Sequence, residues 1–279
     1  MSISAYVYAA GFSQEQMEND WTQGDPTELS IPAPEDAETN ALGSEQPMSS
    51  QEDISYAIQM TETILEPEHN LETFGATVID YNIVTELMDE VGKVRIRQGR
   101  LHVERPQVIT PTYYANQLLE NFGDEASEYA EWLRKTQEGL RILQYGLRFR
   151  KEEAQEQIVE GHIEEVAEKI AEEEKEEGKN FSGVLIGIDD MWEVSLLKFA
   201  SEVIQGSAQT HFRELSKHGL LEGTSNDVPN AVRVEIESEF RNAQGDRDRI
   251  HALGNKLRQY GILEEYEDRF FELVKQLRQ

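Results

Sequence analysis

Five cations crowd one stretch, Lys93-Val94-Arg95-Ile96-Arg97-Gln98-Gly99-Arg100-Leu101-His102-Val103-Glu104-Arg105, against a single anion. Guanidinium groups pair well with phosphate and carboxylate. Lys93, Arg95, Arg97, Arg100 and Arg105 are therefore the candidate anion- or partner-binding residues. The simpler reading is a polar sheet face neutralised by nearby acids. A second grouping is the apolar run Gly183–Ile188 ending in Asp189-Asp190. A strand delivering Asp189 to a magnesium ion beside a nucleotide has this form, but it needs a phosphate-cradling G-x-x-x-x-G-K-[ST] loop, which the sequence lacks. The alternative is a short buried segment whose Asp189 or Asp190 caps the next helix.

Other groupings are weaker. Glu66-Pro67-Glu68-His69 has E-x-x-H spacing, but Pro67 interrupts it, and carboxylate-bridged iron bundles need two such motifs. Glu160, Glu164 and Glu168 recur at every fourth residue, the pattern of a solvated helix face as much as of a weak cation site. With no cysteine and no G-x-S-x-G elbow, thiol and hydrolase-type nucleophiles find no support. No catalytic residue, metal ligand or cofactor is expected.

The elements that must position these residues follow from periodicity. In the basic stretch, Val94 and Ile96 alternate with Arg95 and Arg97, and Leu101 and Val103 alternate with Arg100 and His102. Gln98-Gly99 sits where a two-residue turn belongs, so the stretch reads as a basic hairpin. Upstream, a helix is expected over 56–65, a strand over 77–81, and a helix carrying Ile83, Val84, Leu87, Met88 and Val91. Thr110-Pro111 opens another helix, with Thr as cap and Pro at the first position. From 125 to 177 apolar residues fall at helical spacing. This reads as a long charged helical region, either a helical hairpin broken near Gly146 or a coiled coil. The charge also switches there. Residues 134–151 hold six cations and one anion, and residues 152–178 hold twelve anions and two cations. Beyond 190 the pattern gives helices near 191–204, 207–218, 229–243, 246–260 and 263–278. Pro229 suits a start, and Gly219 and Gly261 suit ends followed by an apolar residue that packs back.

The fold expected from this is mainly α: multi-helix, bundle-like domains with a small β-hairpin element and a disordered acidic N-terminal arm. The expected division is an arm at 1–53, a small α+β module with the basic hairpin at 54–123, the charged helical region at 124–180, and a C-terminal helical domain at 181–279. The arm assignment rests on scattered apolar residues among acids, amides and Pro.

The formal net charge of −29 weighs against bulk sequence-independent DNA binding, which is driven by cationic surfaces. It is unevenly spread, since residues 1–92 hold 19 acids and no Lys or Arg. No apolar run approaches bilayer length and residues 5–10 do not form a secretory signal, so a cytoplasmic protein with no membrane partner is expected. The leading functional class is a non-enzymatic protein-protein interaction, adaptor or assembly protein, binding another protein or itself through helical faces. The alternatives are a polyanion- or nucleic-acid-binding protein that uses the basic ribbon 93–105 and is held in check by its acidic arm, and a divalent-metal enzyme built around Asp189 and Asp190.

Overall fold

A computed structural model describes residues 2–10, 50–122, 127–136, 140–150, 154–223 and 228–276. The described residues form an α/β fold around an eight-stranded mixed sheet, not the mainly α, all-alpha bundle expected from the sequence. The strands are β1 (Ser2–Ala10), β2 (Glu62–Leu65), β3 (Thr77–Glu86), β4 (Lys93–Val103), β5 (Gln107–Ile109), β6 (Ile142–Arg150), β7 (Gln155–Glu160) and β8 (Ser182–Gly187). Their order is β1-β6-β4-β3-β8-β2, with β5 pairing β6 and β7 pairing β4. The helices are α1 (Ser50–Met60), α2 (Pro111–Phe122), α3 (Ser127–Thr136), α4 (Ile163–Glu176), α5 (Trp192–Lys217), α6 (Asn230–Asn242), α7 (Arg247–Gln259) and α8 (Glu267–Gln276).

Two failed expectations, the helix after residue 82 and the long helical region, share a reason: apolar runs satisfy helical and strand periods at once, and ladder partners decide. The stretch 77–91 is one strand to Glu86, because β3 has β4 antiparallel on one edge and β8 parallel on the other. The basic stretch is not a hairpin in itself. Lys93–Val103 is one continuous strand, and the reversal lies at 87–92, leaving Met88 and Val91 exposed. The long helical region, hairpin or coiled coil, is absent: 125–177 holds α3, β6, β7 and α4. β6 and β7 both run antiparallel to β4 along its second edge. His102 faces Arg148 there and Gln98 faces Gln155, so three residues are in excess between the two ladders. Of the expected disordered arm, Ser2–Ala10 is a strand and α1 already begins at Ser50; residues 11–49 lie outside the described residues.

The chain divides into two compact units. The described residues of the first lie within Met1–Val7, Pro32–Pro106 and Tyr145–His211, and those of the second within Tyr8–Ile31, Gln107–Gln144 and Phe212–Gln279.

In the first unit helices cover both faces of the sheet. The face with Val84, Val94, Ile96 and Val184 meets Ile163, Ala167, Ile170 and Ala171 of α4. On the other face Tyr81 and Phe149 lie against Trp192 of α5, with ring centroids 6.5 and 5.9 Å away. The buried histidine of this unit is partnered at both ring nitrogens. His211 donates from Nε2 to the Leu71 carbonyl at 2.7 Å, and its Nδ1 lies 2.8 Å from the Tyr145 hydroxyl.

In the second unit, α6 and α7 lie where helices are expected at 229–243 and 246–260, and α8 lies within 263–278. Val232, Ile236, Phe240, Ile250, Leu253, Leu257, Ile262 and Leu273 form one core across α6, α7 and α8. Asp246 caps α7 by accepting from Asp248 N and Arg249 N at 3.0 and 3.1 Å. Gly219 and Gly261 adopt φ of 65° and 70°, and the next residues donate back, Leu220 N to Leu215 O and Ile262 N to Leu257 O, each at 3.0 Å. Gly146, the expected break between two helices, lies inside β6 instead.

Gly99 shows why β4 runs straight through its Gly. A Cβ there would stand 2.6 Å from Cζ of the buried Tyr81, whose ring passes over the strand. Gly99→Ala is expected to lower stability by about 1–3 kcal/mol through overpacking, read as a shift in urea midpoint. An unchanged midpoint would remove this account of the glycine.

Candidate functional site

Strand alternation places Lys93, Arg95 and Arg97 of β4 on the sheet face that α5 covers. Their neighbours across the ladders are set by register. Thr85 of β3 stands opposite Arg95, and on the other side Glu160, Ile158 and Glu156 of β7 stand opposite Lys93, Arg95 and Arg97. Acids on β7 thus meet cations on β4, which helps select that register, since unlike charges directly opposite are favourable.

Asp189 closes the group. It follows β8, in the short 3-10 turn Asp189–Met191 that leads into α5. Its Oδ1 accepts from Arg97 Nη1 at 2.7 Å and from the Thr85 hydroxyl at 2.7 Å, and its Oδ2 accepts from Arg95 Nη1 at 2.6 Å. Arg97 also donates from Nε to Glu156 at 3.2 Å, and its guanidinium lies 5.5 Å from the Trp192 ring centroid. Arg97 is 4% exposed. Burial pushes the Asp189 carboxyl upward, but hydrogen bonds from Thr85 and Arg97, with the charges of Arg97 and Arg95, outweigh it and hold Asp189 below its ordinary range.

The five ribbon cations therefore do not share one anion site. Arg95 and Arg97 are bound by the chain's own acids. Lys93 pairs with Glu90, and that bond and charge keep its ammonium protonated more firmly than usual. Arg100 points to the opposite face, where its Nε contacts Asp80 at 3.3 Å beside a polar cleft of about 500 Å³ lined also by Asn82, Gln98, Gln155, Glu174 and Lys179. Arg105, beyond the end of β4, is exposed. Asp189, the residue singled out for a metal, has both oxygens turned to guanidinium groups. Asp190 is exposed beside it, and no group of three or more His, Cys, Asp or Glu among the described residues is arranged to hold a metal ion.

Thr85, Glu156 and Trp192 are the members of this group that sequence reasoning missed. The alternation of acids at 156 and 160 with Ile158 was a usable signal, hidden by the helical reading of that region. Comparison with protein-family models, curated proteins and solved structures finds no match.

What this arrangement does is hold strands together. Removing the carboxylate leaves two guanidinium groups short of an anion, one of them buried. Asp189→Asn is expected to cost about 2–4 kcal/mol, reduced from the fully buried case by the partial exposure of Arg95. Because the folded pKa is depressed, the contribution is complete above the unfolded carboxyl value of about 3.9 and is lost as pH falls through the folded value. The stability gap between the original chain and the variant should therefore narrow below about pH 4 in chemical denaturation. A gap that stays constant with pH would sink this assignment.

Proposed function

We infer that this protein is a non-enzymatic interaction or assembly module that docks on another protein or on a second copy of itself. The observation that supports the reading most is α1. Among its residues of described burial, 52–60, only Ala57 is fully buried, with Thr61 buried just beyond the helix. Ile54, Tyr56, Ile58 and Met60 are 41, 57, 42 and 51% exposed, four large apolar side chains in an 11-residue helix. Single exposed apolar residues are ordinary, but several on one element mark contact surfaces. Met88 and Val91 on the 87–92 turn add to the exposed apolar surface of this unit. The reading carries a cytoplasmic location with it, to be checked by fractionation. No helix of the described residues is long and apolar enough to cross a membrane.

The second reading, a polyanion site, draws on Arg100 and Arg105, because Arg95 and Arg97 are already paired internally. Its expected signature is binding of heparin or nucleic acid that weakens steeply with salt and is lost in Arg100→Ser/Arg105→Ser. Salt-insensitive or absent binding rejects it.

For the leading reading, Ile54→Glu/Ile58→Glu is expected to leave the circular dichroism spectrum intact while abolishing an association of the original protein. That association is followed by sedimentation for self-assembly and by cross-linking mass spectrometry in the native host for a partner. An original chain that sediments as a monomer and gives no cross-link at α1 would overturn the reading.

A further inference from the structure

We propose that the outer edge of β7 receives an extended, basic strand of a protein partner, which adds to the sheet by backbone pairing. The inference rests on the interaction-module reading but on a surface separate from α1, and it names the chemistry of the partner.

β7 pairs with β4, and among the described residues no strand pairs with its other edge. Gln155, Glu156, Gln157, Ile158 and Glu160 are all exposed. In an antiparallel ladder every second residue of such a strand turns its N–H and C=O away from its partner. The open edge thus presents a row of backbone donors and acceptors, the element that strand addition uses.

Side chains specify what fits. Glu156, Ile158 and Glu160 share one face of β7, opposite Arg97, Arg95 and Lys93. The existing ladder sets cations on β4 against acids on β7. A strand that continues this alternation has a cation, an apolar residue and a cation at successive same-face positions. Acidic residues just past β7, Glu164, Glu165 and Glu168 on the exposed side of α4, reinforce the selection.

Two other occupants fit poorly. A second copy pairing antiparallel about Ile158 would set Glu156 against Glu160, and like charges directly opposite are destabilising. The acidic edge thereby resists self-pairing, a recognised protection of exposed strands. The chain's own residues 1–92 contain no Lys or Arg, so its N-terminal segment cannot supply the pattern.

The test uses the full chain unaltered, with the variation placed in the peptide. Three synthetic peptides are compared: alternating Lys-Val, alternating Glu-Val, and Lys-Val with an N-methyl group on every residue, so that neither backbone edge can donate or approach for pairing. Amide hydrogen exchange over residues 155–160 is the readout. The Lys-Val peptide is expected to slow exchange of the outward amides at least about tenfold at saturation, as new ladder bonds protect them. The Glu-Val and N-methylated peptides should not, and protection should fade near 1 M salt, where charges are screened beyond about 3 Å. Equal binding of the N-methylated peptide would show simple attraction of a cation to an acidic protein and overturn strand addition. Absence of any protection at β7 overturns it as well. Either outcome leaves the α1 experiment standing, so the two failures are distinguishable.

Discussion

One carboxylate shared by two arginines is the interaction on which the first unit depends. Asp189 ties the β8–α5 junction to β4 through Arg95 and Arg97, and to β3 through Thr85. Glu156 extends the tie to β7. A guanidinium is a cation with donors only, so each must keep an anion once it leaves water. Three strands and one helix start are thereby held in a single register, since a one-residue slip would turn the arginines to the opposite face. Hydrophobic burial is larger in total, but it does not distinguish neighbouring registers as sharply.

The same pairing redistributes charge. The chain's first dense run of cations is spent largely on internal partners, and the acids left over face solvent, on α4 above all. An acidic exterior of this kind repels copies of itself and speeds encounter with cationic partners, an effect that fades with ionic strength. The apolar residues of α1 and the 87–92 turn then stand out as sites where contact is favoured for a different reason, the removal of apolar surface from water.

The C-terminal helices were readable because they carry their own punctuation. Asp246, Gly219 and Gly261 act within a turn of where they stand, and local chemistry is what one sequence displays. The sheet was not readable for the converse reason. Ile83 and Val84 fit a helix by spacing and become strand residues only because β4 and β8 lie on either side. Gly99 looked like a turn because its need for space comes from Tyr81, eighteen positions away. Val159 and Ile163 continued a helical rhythm across what is the end of one strand and the start of a helix. In the candidate site, the cations and Asp189 were visible as residue types. Their mutual neutralisation was not, because it joins positions about ninety residues apart.

Each compact unit is drawn from separated parts of the chain, with crossings at 106/107, 144/145 and 211/212. Synthesis from the N-terminus therefore cannot finish one unit before starting the other. Residues 107–144 emerge while the first unit still lacks β7, α4, β8 and α5. Until the β8–Asp189 segment leaves the ribosome, Arg97 has no anion from that junction, and β3 waits with one edge open. Such interleaving raises the mean sequence separation of contacts, which slows folding. It also leaves a half-made sheet exposed for the time needed to translate about a hundred residues, on the order of 5–20 seconds at the usual elongation rates.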